Sequence, residues 1–277
     1  MNYRHAFHAG NHADVLKHVA LLFCLDALRR KPAPFAVLDT HAGRGSYDLS
    51  ADEATRSPEW RDGIGRLWGQ SGAPAPVARY LEAVKSHNGD GDLKLYPGSP
   101  ELIAACLRAD DVLMACELHP QDCSALRRSM ARAPNVQVHA RDGWEALSAL
   151  LPPPQRRGLV LIDPPYEEPD ELARAARALG PALGRFAHGT YLWWRPLKSE
   201  SALAAVDAEA RAQGARVMLR ADLWVDAPRI DGRLVGASLL VINPPFGLEA
   251  ALGEALPTLA AWLAAGASGW RLRPSAH

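Results

Sequence analysis

The sequence predicts an α/β fold built around a mostly parallel β-sheet. Short apolar segments without polar alternation, which are typical of strands buried on both faces, recur along the chain. Segments with helical periodicity separate them, and this alternation produces βαβ units with parallel strands. The 277 residues are 48% hydrophobic, which is enough for a sizeable core.

Seven segments are predicted to be strands. Helices separate the first six, whereas the last two have no helix between them. We therefore expect the last two to form an antiparallel hairpin, turning at 228–233, at one edge of the sheet. The predicted strands are 35–39, 111–116, 136–139, 158–162, 189–194, 216–225 and 234–242.

Helices are predicted in the intervals between strands. One begins at Ser99, which we expect to be its N-cap, with Pro100 in the first helical position. An amphipathic helix near the N-terminus is predicted over 11–29, and a final helix follows the last strand. The others are 120–131, 143–151, 169–183 and 200–213.

One interval is too long for a loop. Residues 47–98 separate the first strand's loop from Ser99, whereas βα loops usually have about 2–6 residues. Helical spacing over 52–68 and 76–87 predicts an inserted helical subdomain, 50–96, within a main domain formed by 1–49 and 97–277. The insertion serves as a substrate-gripping lid on one interpretation and has no function on the other.

Charge and cysteine content narrow the possible classes of protein. Basic and acidic residues both number 31, so any nucleic acid must bind to a local basic patch. The four cysteines form no CxxC pair, which indicates a reducing compartment and argues against structural zinc. Neither a secretory h-region nor an apolar run of eighteen residues is present, so we expect a cytoplasmic protein without a membrane segment.

The most informative motif is Asp163-Pro164-Pro165-Tyr166, which directly follows a predicted strand. In open α/β sheets, ligands bind beyond the carboxyl ends of the strands. Proline removes backbone donors, so the Asp163 carboxylate and the Pro164 carbonyl act as acceptors, with the Tyr166 ring beside them. Such a pocket suits a planar amine such as the amino group of adenine. Hydrogen bonds to both N–H groups favour a pyramidal nitrogen, whose lone pair can then attack.

The ends of the other strands indicate a binding site for S-adenosylmethionine. Gly43, in the loop after the first strand, permits close backbone approach to a ligand. Glu117, after the second strand, can bind ribose hydroxyls, and Asp142-Gly143, after the third, can bind an adenine amine. Ser99 at a helix N-terminus can meet a carboxylate. Each acid alone is better explained as a helix cap or a surface charge. Their common placement at strand ends is what favours a binding site.

The N-terminal segment is rich in histidine and basic residues. His8 and His12 could share one helix face, but no HExxH motif occurs and the segment lacks glutamate, so we expect no metal. Contact with phosphates fits better, through Lys17 and the N-terminal arginines. A capped amphipathic helix explains the same residues without any ligand.

A second Pro-Pro motif, Asn243-Pro244-Pro245-Phe246, follows the last predicted strand. Its resemblance to 163–166 raises the possibility of a second catalytic centre. We interpret it as the end of a strand before the C-terminal helix, because a doubly wound sheet has its active site at one switch point.

Long motifs in this chain resemble the RlmJ family of bacterial 23S ribosomal RNA adenine-N6 methyltransferases, which use S-adenosylmethionine. The similar segments are YRHAFHAGNHADVLKH at 3–18, DTHAGRGSYDL at 39–49, YPGSP at 96–100, ELHP at 117–120, RDG at 141–143 and LIDPPYE at 161–167. The resemblance implies a seven-stranded class I methyltransferase fold with a small helical insertion, acting as a monomer.

The resemblance also implies roles for individual residues. On the catalytic and substrate side, the family's positions correspond to Tyr3, His5, Lys17, Asp163 and Tyr166. The cofactor positions correspond to His18, His41, Ser99, Glu117, Asp142, Gly143 and Asp163.

Three other functions remain open at this point. A DNA adenine methyltransferase uses the same Asp-Pro-Pro-Tyr chemistry. A protein glutamine methyltransferase uses a similar pocket for an amide, but usually with asparagine first, so Asp163 argues against it. A non-catalytic RNA-binding module would not bind S-adenosylmethionine.

Overall fold

The computed structural model describes residues 4–89, 91–167, 170–227 and 234–274. Strands and helices alternate through these residues, as predicted. The strands are β1 (Ala36–Asp39), β2 (Ser46–Asp48), β3 (Leu95–Pro97), β4 (Val112–Cys116), β5 (Val136–His139), β6 (Gly158–Ile162), β7 (Thr190–Pro196), β8 (Met218–Trp224), β9 (Gly236–Ile242) and β10 (Gly269–Pro274).

The helices surround this sheet and join its strands. A 3₁₀ turn at His5–Phe7 precedes them. They are α1 (His12–Arg29), α2 (Asp52–Arg56), α3 (Glu59–Asp62), α4 (Ile64–Leu67), α5 (Ala75–Lys85), α6 (Ser99–Ala104), α7 (Pro120–Ser129), α8 (Gly143–Ala149), α9 (Glu171–Arg185), α10 (Glu200–Ala212) and α11 (Leu248–Trp262).

The main sheet has the strand order β10-β8-β9-β7-β6-β1-β4-β5. Strands β5, β4, β1, β6 and β7 are parallel, so their carboxyl ends meet at one edge. Apolar side chains cover both faces: α1, α5 and α11 pack on one, and α8, α9 and α10 on the other. An α/β fold with a mostly parallel sheet is therefore confirmed.

The expected strand number is wrong, because the main sheet has eight strands among the described residues rather than seven. The additional strand, β10, pairs antiparallel with β8 and forms the sheet edge. The predicted hairpin is present as β8 and β9, but β10 covers it, so it is not the edge. Its predicted turn, 228–233, lies outside the described residues.

Two local predictions also need correction. Helical spacing over 52–68 corresponds to three short helices, since Pro58 and Gly63 interrupt the backbone pattern between them. Gly98, rather than Ser99, is the N-cap of α6, and the Ser99 hydroxyl bonds to a carboxylate elsewhere.

Strands β2 and β3 pair antiparallel and join the two ends of the 50–96 segment. Whether that segment is a separate subdomain stays a prediction.

The antiparallel direction of β9 explains the second Pro-Pro motif. Because β9 runs against β7, residues 243–246 lie at the opposite edge from the carboxyl ends of the parallel strands. The Asn243 amide donates to the Ala187 and Gly189 carbonyls, and α11 follows. Our interpretation of this motif as a strand end is confirmed.

No helix among the described residues has both the length and the hydropathy needed to cross a lipid bilayer.

Candidate active site

A cavity of about 460 Å³ opens where the parallel strands end. Every described residue of the predicted site lines it, although these residues come from seven separate segments of the chain. Tyr3 lies outside the described residues. The lining residues that the sequence analysis named are His5, Lys17, His18, His41, Gly43, Ser99, Glu117, Asp142, Gly143, Asp163, Pro164 and Tyr166.

Asp163 stands at the end of a chain of ion pairs. Its Oδ2 lies 2.5 Å from the Lys17 ammonium, whose nitrogen lies 2.7 Å from Asp14 Oδ1. Asp14 Oδ2 in turn contacts His5 Nε2 at 2.9 Å and accepts from the Gly10 N–H at 2.8 Å. These ion pairs connect the 3₁₀ turn, α1 and the loop after β6.

Burial strengthens these pairs. Burial by itself lowers the pKa of Lys17, but the Asp14 and Asp163 carboxylates outweigh it and the pKa is raised. Burial likewise opposes ionisation of Asp14, yet electrostatic attraction to His5 and Lys17 holds its pKa well below the usual range. Lys17 therefore stays cationic at neutral pH, which suits it to orient Asp163 rather than to act as a base.

This arrangement contradicts the expectation that Lys17 contacts a phosphate. Its side chain is 5% exposed and its charge is balanced by two carboxylates. Arg29 and Arg30 lie at the far end of α1 from the cavity, and their contact with phosphates stays a prediction. An eighteen-residue helix is about 27 Å long.

Tyr166 is held by two neighbouring residues of β7. Its hydroxyl accepts from Trp193 Nε1 and donates to the Trp194 carbonyl, both at 2.7 Å. Its backbone is left-handed, with φ of 52°, which is uncommon for an aromatic residue. The Trp194 ring lies 5.5 Å away and also lines the cavity. The tyrosine ring is thus fixed beside Asp163 and leaves little rotational freedom to be lost on binding.

Glu117, directly after β4, closes the loop that follows β1. Its two oxygens accept from the Gly43 N–H at 2.8 Å and the His119 N–H at 2.7 Å. A carboxylate offers about four lone-pair sites, so acceptor capacity remains for hydroxyl donors in the cavity. Burial raises the pKa of Glu117.

Asp142 caps α8, accepting from the Trp144 and Glu145 N–H groups at 2.7 and 3.2 Å through Oδ1. Gly143 permits the β1 loop to approach, since a Cβ atom here would lie 2.3 Å from the Thr40 carbonyl oxygen. Any other residue would displace the loop that lines the cavity. The helix-cap explanation of Asp142 is correct, and its Oδ2 lies 3.5 Å from Arg174 Nη2.

The cavity's two deeply placed histidines are neutral at physiological pH. Burial lowers the pKa of His18 to about 3 and that of His41 to about 4. His18 Nδ1 bonds to the Tyr96 hydroxyl at 2.8 Å, and its buried Nε2 has no partner among the described residues. These rings add polar atoms to the cavity without adding positive charge.

The Ser99 hydroxyl donates to Asp39 Oδ2 at 2.6 Å. Asp39 is the last residue of β1 and is fully buried. Burial raises the pKa of Asp39 to about 7, because the environment stabilises the ionised form poorly. Ser99 thus contacts a carboxylate, as expected, but this carboxylate is the side chain of Asp39 rather than part of a ligand.

Sequence reasoning missed several residues that complete the site. Asp14 was missed as the link between His5 and Lys17, although its spacing of three from Lys17 on one helix was a usable signal. Trp193 and Trp194 gave no comparable signal, because strand pairing alone brings β7 beside Tyr166.

Comparison with known proteins identifies the family. The family model described as "Ribosomal RNA large subunit methyltransferase D, RlmJ" matches residues 32–274. The chain belongs to the RlmJ family. Proteins named "Ribosomal RNA large subunit methyltransferase J" from Haemophilus influenzae and Escherichia coli are each 41% identical over 260 residues, covering 94% of this chain and 92% of theirs.

A solved structure supports the RlmJ-family fold. A crystal structure of a Legionella pneumophila protein superimposes with a TM-score of 0.89 at 34% identity, covering 96% of this chain and 98% of that one. The resemblance found in the sequence is thus confirmed, and the fold of this RlmJ-family chain is that of class I methyltransferases.

Proposed function

We propose that this chain transfers a methyl group from S-adenosylmethionine to the N6 nitrogen of an adenine in 23S ribosomal RNA. One observation carries the proposal: the Asp163–Tyr166 motif lines the same cavity as Gly43, Glu117 and Asp142. Such an enzyme needs a pocket for the target nucleobase and a binding site for the cofactor at the same edge of the sheet. The names of the two relatives support large-subunit ribosomal RNA as the substrate.

The residues present fit the cofactor. Glu117 has acceptor capacity for the ribose hydroxyls and Asp142 for the adenine amine. The buried His18 Nε2 has no partner in the part of the chain that the structure describes. Neutral histidines suit a cationic sulfonium, because a protonated ring beside it would be repelled. When bound, S-adenosylmethionine supplies a methyl group on positively charged sulfur.

The target base would be held by the motif after β6. Asp163 binds Lys17 through Oδ2, so acceptor capacity remains for an adenine N–H. Pro164 lines the cavity beside it, and its carbonyl is the proposed second acceptor. Tyr166 is the proposed stacking platform. A base inside a helix must first be unstacked, at a cost of a few kcal/mol.

The deciding experiment is methyl transfer in vitro from labelled S-adenosylmethionine to protein-free 23S ribosomal RNA, followed by mapping of the modified nucleotide. We expect a single N6-methyladenine. Methylation of a duplex DNA oligonucleotide but not of RNA would favour a DNA adenine methyltransferase. Absence of S-adenosylmethionine binding by isothermal titration would instead support an RNA-binding module. A monomeric state and a cytoplasmic location stay predictions.

A further inference from the structure

The N-terminal segment, residues 4–11, lies along the helices of the 50–96 region. Near its start, Arg4 Nη2 lies 3.6 Å from Glu53 Oε1 on α2. The Arg56 guanidinium, at the end of the same helix, lies 5.9 Å from the centre of the Phe7 ring. Such exposed contacts are individually weak, but they place the segment against α2.

The backbones meet directly at the end of this segment. The Ile64 N–H donates to the Gly10 carbonyl at 2.8 Å. A Cβ atom on Gly63 would lie 1.9 Å from that same carbonyl oxygen, so the approach requires glycine at this position. The contact between the segment and the α3–α4 junction is therefore part of the backbone arrangement and does not depend on flexible side chains.

Glu59, on α3, binds the segment at two points. Its Oε1 contacts His8 Nδ1 at 2.9 Å, and its Oε2 accepts from Asn11 Nδ2 at 2.9 Å. The hydrogen bond that His8 makes to the Glu59 carboxylate raises the pKa of His8, although burial opposes it. Both side chains of the His8 pair are 37% exposed, so its contribution to stability is below about 1 kcal/mol. We therefore expect the His8–Glu59 pair to affect the orientation of the N-terminal segment rather than the stability of the protein.

Asn11 transmits this contact to the ion pairs of the cavity. As the N-cap of α1, its Oδ1 accepts from the Ala13 and Asp14 N–H groups at 2.9 and 3.1 Å. Asp14 then binds Lys17, which binds Asp163. One uninterrupted series of polar contacts therefore runs from Glu59 to the carboxylate of the proposed catalytic motif.

We infer that Glu59 is a positioning residue: by holding His8 and Asn11 it sets the N-terminal segment, and through it Lys17 and Asp163, in their working geometry. The α2–α4 helices are then the support of this segment. This differs from both the lid and the functionless insertion that the sequence left open. The expected effect on turnover rests on the proposed function, whereas the contact itself does not.

The test compares Glu59→Ala with Asp62→Ala. Asp62 lies on the same short helix and loses a comparable ion pair, with Arg66, but Arg66 is not part of the N-terminal segment. We expect kcat for methyl transfer to fall by about 10- to 100-fold in Glu59→Ala, the usual size of a misplacement effect. The KM for RNA and the affinity for S-adenosylmethionine should stay unchanged. Asp62→Ala should keep the wild-type kcat, and Glu59→Gln, which retains an acceptor for Asn11, should recover part of the loss.

Hydrogen exchange gives a readout that does not need activity. Amides of residues 7–11 should exchange faster in Glu59→Ala than in Asp62→Ala, and His8→Ala should reproduce the change if Glu59→Ala does not fold. Wild-type kcat in a folded Glu59→Ala, or equal exchange in the two variants, would overturn the inference. A wild-type protein that transfers no methyl group would refute the proposed function alone, and exchange would still decide whether Glu59 holds the segment.

Discussion

Two Pro-Pro motifs end strands of the same sheet, and they have different surroundings. Asp163–Tyr166 follows β6 and lines the cavity, where Tyr166 is held by two hydrogen bonds. Asn243–Phe246 follows β9, and the Asn243 side-chain amide donates to two backbone carbonyls. The Phe246 side chain is 93% exposed. The direction of the strand decides the difference. A parallel strand delivers its motif to the ligand-binding edge, whereas β9 delivers it to the opposite edge.

The largest expected effect is on catalysis by the first motif. Replacing Asp163 by alanine should reduce kcat by about 10²–10³, the usual loss for one preorganised polar partner. Asn243→Ala should leave kcat unchanged and lower the stability, because two carbonyls lose their donor and alanine is disfavoured at φ of 52°. Steady-state kinetics and thermal melts of both variants check this. Near-normal turnover by Asp163→Ala would falsify the role of the motif.

Replacing the aromatic residue should likewise have a larger effect on stability and turnover in the first motif than in the second. Tyr166→Phe leaves the buried Trp193 N–H and the Trp194 carbonyl without their partner, which costs about 1–3 kcal/mol of stability. We expect turnover to fall about tenfold, the rate equivalent of roughly 1.4 kcal/mol. Phe246→Ala removes an exposed ring and should change neither quantity. Denaturant titration with kinetics tests the pair, and an equal response would remove the distinction.

Acid should weaken the folded state through the two neutral histidines at the cavity edge, whereas the second motif has no histidine. The lowered pKa values of His18 and His41 mean that the unfolded chain binds protons below pH 6.5 when the folded chain does not. The two histidines therefore contribute their full stability above pH 6.5 and lose it as the pH drops towards 4, by about 1.4 kcal/mol per pH unit for His18. Asp39, whose pKa burial raises to about 7, acts in the opposite direction over the same range and offsets part of this loss. Denaturant titrations between pH 7 and 4 measure the slope, and His18→Gln should flatten it. An unchanged slope in that variant would contradict this cause.

The smallest expected effect concerns RNA binding around the two motifs. Lys198 is exposed at the cavity mouth, in contrast to the buried Lys17. Removing one phosphate contact should reduce the slope of log K against log salt by about 0.7–0.9. We expect this in Lys198→Ala and not in Arg185→Ala, which lies near the second motif. Fluorescence anisotropy over a salt series separates them, and equal slopes would place the RNA elsewhere.

Much of the site could be predicted, because residues at strand ends have a position that the chain order implies. Gly43, Glu117, Asp142 and Asp163 each follow a predicted strand, and parallel pairing brings them to one cavity. We predicted that Lys17 belongs to the site but expected it to contact a phosphate. Nothing in the local sequence shows that Asp163 lies 2.5 Å from the Lys17 nitrogen.

The edge of the sheet was less predictable. Strand β10 combines Trp270 and Leu272 with Arg271 and Arg273, and the two arginines bind Glu200 of α10. The alternation of apolar and basic residues over 270–273 has the period of a half-exposed strand, but it is only four residues long and we did not predict a strand from it. Its pairing with β8 stabilises it as a strand.

The sequence by itself determined the α/β class, the family, and the residue types of the Asp163–Tyr166 motif, because these depend on local periodicity and on contiguous motifs. Tertiary structure alone decided that Trp193 and Trp194 hold Tyr166, that Asp14 connects His5 to Lys17, and that Glu59 supports the N-terminal segment. These contacts join residues from separate helices, strands and loops. Their geometry depends on strand order and direction, which no single segment of the chain encodes.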